Sequence, residues 1–166
     1  HIESLATEWN RELRLWMNGM ERGSLYWGDA LAEVHSYAQR LTATKGIQLH
    51  WHQSGQLPTE PEHCVQEIIS LLRVLKEAVN NLVSHSDARH AKVHVAFRAR
   101  RLGIVVKDDG RGFPLESPKT GRRGLKNMGH RIKELGGTFK RHGKAGTTLC
   151  IVIPLPLQSH SSPPQK

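Results

Sequence analysis

The stretch that limits most sharply what this chain can fold into is Arg73 to Ser86, RVLKEAVNNLVSHS. At about 3.6 residues per turn, Leu72, Leu75, Val79, Leu82 and Val83 share a broad apolar stripe that must face a core. The same spacing stacks Glu77, Asn81 and His85 above one another. A carboxylate and a carboxamide at i and i+4 can be a plain surface pair on an amphipathic helix. They also suit a site where oxygen ligands meet a hard cation and a water. On the helix alone both readings stand.

With 166 residues, 37% of them hydrophobic and 23% charged, the chain has the composition of one globular domain with a real core. No apolar run reaches the roughly 18 residues of a membrane span, and no signal-peptide pattern opens the sequence. Cys64 and Cys150 lie in apolar segments without CxxC spacing, which reads as two buried thiols in a reducing compartment, hence the cytoplasm. The formal charge of +9 raises the possibility of nucleic-acid binding through counterion release. The charge is concentrated, however: Lys119 to Lys144 holds nine Lys or Arg against one acid, Glu134. A cluster among glycines fits a small polyphosphate as well as a duplex. Aromatic residues, at 5%, supply few stacking platforms for single strands. The 11 histidines are scattered without metal-ligand spacing, which leaves them solvated or capping roles.

Residues 1 to about 20 read as a helix with Leu5, Trp9, Leu13, Trp16 and Met20 on one face. Glu21 to Gly28 reads as a connection, and Asp29 as the cap of a second helix ending at Lys45-Gly46. Ile47 to His52 alternates like a strand. Pro61 is suited to the first turn of a long helix that ends near His85. The period then changes to two. Ala91–Arg98 and Leu102–Lys107 form a hairpin, Leu125–Leu135 is a short helix, and Thr138–Arg141 and Thr147–Pro154 are further strands. This order predicts an α+β fold, a two-layer sandwich with helices on one face of a mixed, mostly antiparallel sheet of about five strands. The expected division is residues 1–27 as an N-terminal helix and linker, 28–157 as the domain, and 158–166 as a disordered tail.

Three further motifs carry chemistry. Asp108-Asp109-Gly110-Arg111-Gly112-Phe113 follows a strand; its glycines allow close backbone approach, Asp108 can accept from an exocyclic amine, and Phe113 can pack beside a flat ring. A plain acidic turn has the same composition. Gly121-Arg122-Arg123-Gly124-Leu125-Lys126 stands at a helix start, where N–H groups and the dipole favour an anion. Arg122, Arg123 and Lys126 oppose that dipole, a conflict that a phosphate ligand resolves. Gly146-Thr147-Thr148 enters the last strand and means nothing alone.

In this order and spacing, Glu77-x-x-x-Asn81-x-x-x-His85, Asp108-x-Gly110-x-Gly112, Gly124-Leu125 and Gly146-Thr147-Thr148 resemble the N, G1 and G2 boxes and closing strand of the Bergerat-fold ATPases. That superfamily includes gyrase, a heat-shock chaperone, mismatch-repair proteins and sensor histidine kinases. GLKNMGHRIKELGGTF and a lid of about ten residues between Phe113 and Gly124 resemble the bacterial sensor kinases paired with helix-turn-helix response regulators. The resemblance covers residues 28 to 155 and implies a Mg²⁺·ATP site. It makes Glu77, Asn81 and His85 catalytic and Asn81 the metal ligand. Asp108 would bind the adenine amine, with Gly110, Gly112 and Phe113 around the ring. Arg122, Arg123, Gly124, Leu125 and Lys126 would receive the phosphates, and Thr147 and Thr148 would lie near the adenine.

Two departures qualify this. Ser84 stands where the family usually has Lys or Arg before His85. No phosphoacceptor motif is found, since His1-Ile2-Glu3 does not match it and His35 lacks its surroundings. The implied protein is thus an ATP-binding catalytic domain that acts on a dimerisation and phosphoacceptor domain cut away or supplied elsewhere, in a homodimer, for relay to a response regulator. No nucleic-acid or membrane contact is expected. The rivals are an anti-sigma-factor serine kinase of the same fold and a non-catalytic nucleotide- or nucleic-acid-binding module.

Overall fold

Side-chain alternation along the strands decides which face of the sheet is covered. The computed structural model describes residues 17, 19, 21–60, 64–112, 122–143 and 146–156, with the backbone alone for His85, Arg122 and Arg123. The elements are α1 (Trp27–Ala43), β1 (Gln48–Ser54), α2 (Val65–His85), β2 (His90–Arg98), β3 (Arg101–Asp108), α3 (Arg122–Glu134), β4 (Thr138–His142) and β5 (Thr148–Pro154). They form a five-stranded sheet of order β1-β2-β3-β5-β4, in which only the β1–β2 pair is parallel.

Every second residue of the central strands is buried: Val93 opposite Val106, Val106 opposite Leu149, Ile104 opposite Ile151. The three described helices cover that face. Their inward residues include Trp27 and Leu31 from α1, Ile68, Leu71 and Leu75 from α2, and Met128 and Ile132 from α3. Trp27 meets Phe97 of β2 edge-on with ring centroids 5.9 Å apart. Between α1 and α2 the contact is partly polar. Lys76 Nζ lies 3.3 Å from Glu33 Oε1 in a buried ion pair, and Tyr37 donates its hydroxyl to Asn80 Oδ1 at 2.9 Å. His35 stacks on Trp51 at 4.6 Å, a packing role between α1 and β1. The two-layer fold and its strand count follow the sequence pattern.

Several local expectations differ. Asp29 does not cap α1: the helix begins at Trp27 behind an extended Tyr26, and Asp29 occupies the first turn, where its charge still suits the dipole. The packed unit starts earlier than residue 28, because Leu25 and Trp27 are both core residues. α3 begins at Arg122 rather than Leu125. Neither cysteine is fully buried. Cys150 falls on the outer side because Leu149 and Ile151 point inward. Gly46, at φ +65°, ends α1 as expected, with the N–H of Ile47 reaching back to the Thr42 carbonyl at 3.0 Å. The expected faces of the first helix, Pro61 and the tail lie outside the described residues. No described helix is long and apolar enough to cross a membrane.

A one-sided core has a direct consequence. Ile104→Ala, at a residue 1% exposed, should lower stability by about 2–5 kcal/mol. Val152→Ala, at a residue 38% exposed on the other face, should cost less than about 1 kcal/mol. Urea unfolding of the two variants checks this, and equal losses would contradict it.

Candidate functional site

Three chain segments meet at the carboxylate of Asp108, the last residue of β3 and only 4% exposed. Its Oδ1 accepts the backbone N–H of Gly110 at 2.9 Å and of Thr147 at 3.1 Å. Its own N–H donates to the Thr147 carbonyl at 2.9 Å. Oδ2 makes no hydrogen bond among the described residues. A buried carboxylate oxygen without a donor is costly, so a fold that keeps one invites a ligand that donates. The carboxylate lines a slot of about 20 Å³ together with Ala78, Asn81, Leu82, Gly112 and Thr147.

The loop after Asp108 is fixed on both sides. A Cβ at Gly110 would lie 2.0 Å from the Ser86 carbonyl oxygen, so this glycine exists to let the loop cross the end of α2 rather than to admit a ligand. The Arg111 N–H donates to that carbonyl at 2.8 Å, and the Ser86 hydroxyl donates to the Leu82 carbonyl at 2.5 Å. Gly112 is the glycine whose backbone lines the slot. Asp109 ties the loop to β2. Its Oδ1 accepts the N–H groups of Arg89 and His90, both at 2.9 Å, and its Oδ2 lies 2.7 Å from His90 Nδ1. The backbone N–H of His90, then its ring, hold the Asp109 carboxyl down at about 2.

α2 separates two spaces. Asn81 belongs to the slot, while Glu77 opens into a cleft of about 410 Å³ between the helices, with Tyr37, Arg73, Asn80, Asn127 and Arg131. Asn81 Nδ2 is 3.5 Å from Glu77 Oε1, a long contact that leaves both groups available. Gly124, in the first turn of α3, brings that helix against them: a Cβ there would sit 2.7 Å from Glu77 Oε1. The first turn of α3 contains no acid and two arginines. Leu125 packs in the core, so only its backbone can meet a ligand, whereas Lys126 is exposed.

The structure therefore brings Asn81, Asp108, Gly112 and Thr147 together, with Glu77 and Gly124 beside them. Thr148 is set apart. It pairs with Lys107 and His142 on the outer face and does not line the slot. Phe113 and the side chains of His85, Arg122 and Arg123 lie outside the described residues, and Ser84 is exposed. Sequence reasoning missed Ser86 and Asp109 as loop anchors, and it named Gly146 only as part of the closing motif, without its approach to Asp108, where a Cβ would lie 2.1 Å from the carbonyl oxygen. It also missed Asn127 and Arg131, which follow Gly124 at helical spacing and were legible in that period.

The two-layer sandwich thus holds a buried carboxylate, with one oxygen unpartnered among the described residues, in one slot with the Asn81 carboxamide. Residues 66–158 match the histidine kinase-, DNA gyrase B-, and HSP90-like ATPase family, and the chain belongs to that family. It is similar to the signal transduction histidine-protein kinase/phosphatase DegS of Brevibacillus brevis, 31% identical over 74% of this chain and 31% of that protein. The sensor histidine kinase YvfT of Bacillus subtilis is 36% identical over 54% of this chain and 23% of its own length. The chain thus spans less than a third of these curated relatives. Among solved structures, the blue-light activated histidine kinase EL346 of Erythrobacter litoralis superposes with a TM-score of 0.64 at 20% identity, covering 92% of this chain and 54% of that one. The fold is the Bergerat α/β fold that the histidine kinase catalytic domains among the solved structures share.

Asp109 is an anchor that exchange can read. Asp109→Ala should speed amide hydrogen exchange at Arg89 and His90 by at least about 10-fold at neutral pH. Because the carboxyl is held low, its contribution is present above the ordinary carboxylate range and lost only as pH falls through about 2. Unchanged exchange in the variant would show that the anchor carries no weight.

Proposed function

We propose that this domain binds Mg²⁺·ATP and passes the γ-phosphoryl group to a histidine on a separate dimerisation and phosphoacceptor domain, within a homodimer, for relay to a response regulator. The observation that carries the reading is the buried Asp108 carboxylate, which keeps one oxygen without a donor in a slot shared with Asn81. That oxygen would accept from the adenine amino group. The slot is sized for the amino end of a purine rather than the whole ring, so Gly112 and Thr147 would bound the deep end only.

Asn81 would offer its carboxamide oxygen to Mg²⁺. Mg²⁺ characteristically takes few protein ligands and completes its shell with water and phosphate oxygens, which suits a single carboxamide. When bound, the ion supplies charge compensation on the phosphates. The backbone N–H groups of Gly124 and Leu125 and the cations Arg122, Arg123 and Lys126 would hold the phosphates at the start of α3, where a first turn without acids leaves the positive end of the dipole uncompensated. Glu77 would orient the acceptor imidazole and take its ring proton as the nitrogen–phosphorus bond forms and the bridging oxygen departs with ADP. Gly124 keeps that carboxylate within reach. His85 would complete the polar stripe at the end of α2, with Phe113 and Thr147 near the base.

Two measurements on the chain test this. A fluorescent ATP analogue should bind in a Mg²⁺-dependent manner, and Asn81→Ala, which removes the oxygen ligand, should abolish that dependence. Glu77→Gln should retain affinity within about threefold, yet lose slow ATP hydrolysis by about 10²–10⁴-fold. Gly124→Ala should behave alike, since its new methyl meets only the flexible end of Glu77. Failure of the wild type to bind, or full turnover by Glu77→Gln, would sink the reading.

A further inference from the structure

The sheet has a second face that the site does not use. Strand register puts His50 and His52 of β1 there, beside His90, Lys92 and His94 of β2. Arg101 and Lys107 of β3 follow, and Lys140 and His142 of β4 close the far side. Among the described residues no strand places an Asp or Glu on this face, and the neighbouring Asp109 carboxylate is already bound to His90. The rings meet across strands: His50 lies 6.5 Å from His90 and His52 lies 4.9 Å from His94, whose Nε2 is 2.8 Å from the Ser54 hydroxyl.

Two like-charged pairs stand directly opposite one another on this face, Lys92 with Lys107 and Arg98 with Arg101. Such pairs destabilise a sheet unless something anionic relieves them. Between the cationic flanks runs a strip of Val105, Cys150 and Val152 with the small Ala96 and Gly103, and Val152 is 38% exposed. An apolar centre with a charged rim is the anatomy of a protein interface. Among the described residues this face carries no Trp, Tyr or Phe, because Trp51, Phe97 and Phe139 all turn toward the helices. It therefore has no bulky apolar group to insert into a bilayer.

We propose that this open sheet face docks an acidic protein surface, and that the histidines strengthen the attraction in mildly acidic solution. Lysine and arginine supply charge at all relevant pH values, while histidine is the side chain that gains charge between about pH 8 and 5. The groups facing the histidines are Lys92, Lys107 and His90 around His50, Asp109 and His50 at His90, His94 beside His52, Ser54 and His52 at His94, and Thr148 opposite His142.

Labelled poly-L-glutamate is a probe of that chemistry. The chain should bind it about 10-fold more tightly near pH 6 than near pH 8. Lys92→Glu with Lys107→Glu should weaken binding by at least about 10-fold. Arg40→Glu with Lys45→Glu, an equal charge change on and after α1, should weaken it by less than about threefold. Lys92→Gln with Lys107→Gln removes the cross-strand repulsion and so should fold readily, and it too should bind less. Equal losses from the two charge-reversed pairs would mean that net charge alone is felt, and would overturn the proposal. Tighter binding of duplex DNA or phosphatidylglycerol vesicles at equal anionic charge would overturn the choice of partner.

Discussion

The site depends on one carboxylate oxygen. Oδ1 of Asp108 accepts from Gly110 and Thr147, so a single buried group ties the end of β3, the loop that follows it and the entry to β5. Three chain segments are held at one point, each peptide N–H satisfied by a charged acceptor. Ionised acceptors make stronger hydrogen bonds than neutral ones, and here they also leave the second oxygen aimed at nothing in the described protein. One oxygen of this residue carries structure, and the proposed function gives recognition to the other. Removing the carboxylate would therefore disturb the frame as well as the contact, whereas exchanging one oxygen for a nitrogen tests recognition more cleanly.

α2 is the wall on which the rest is assembled. Its apolar stripe is the centre of the core, and its polar stripe divides the slot at Asn81 from the cleft at Glu77. Close backbone approaches then set the distances. Ser86 at its end meets Gly110, and Glu77 in its middle meets Gly124. A side chain at Gly110 would push the loop off the helix end by an ångström or more, and one at Gly124 would displace the Glu77 carboxylate, which is why the glycine boxes and the helix must be considered together. Asp109 and the Arg111–Asp87 ion pair brace the same loop from outside.

Much of this was legible in the sequence. The change from a helical period to alternation at residue 90 gave the strands, and alternation of Val93, Val95 and Phe97 against Lys92 and His94 gave the covered face. The Glu77–Asn81 spacing and the Asp108 motif gave most of the slot. What was not legible arises from contacts distant in the chain. Nothing local shows that Gly110 crosses Ser86, or that Gly146 lies on the Asp108 carbonyl. Thr148 was grouped with Thr147 by adjacency, yet successive strand residues point to opposite faces, and only Thr147 lines the slot. Cys150 looked buried for the same reason: an apolar run hides its own alternation.

The central claim is that the free oxygen of Asp108 recognises the exocyclic amine of adenine. Calorimetric affinities for ATP and inosine triphosphate test it directly, because the two differ where a donor is replaced by a carbonyl. The wild-type chain should prefer ATP by at least about 10-fold, or ~1.4 kcal/mol. Asp108→Asn, whose amide can donate to that carbonyl, should narrow or invert the preference. Equal affinity of the wild type for both nucleotides, or an ATP preference untouched by the substitution, would contradict the account.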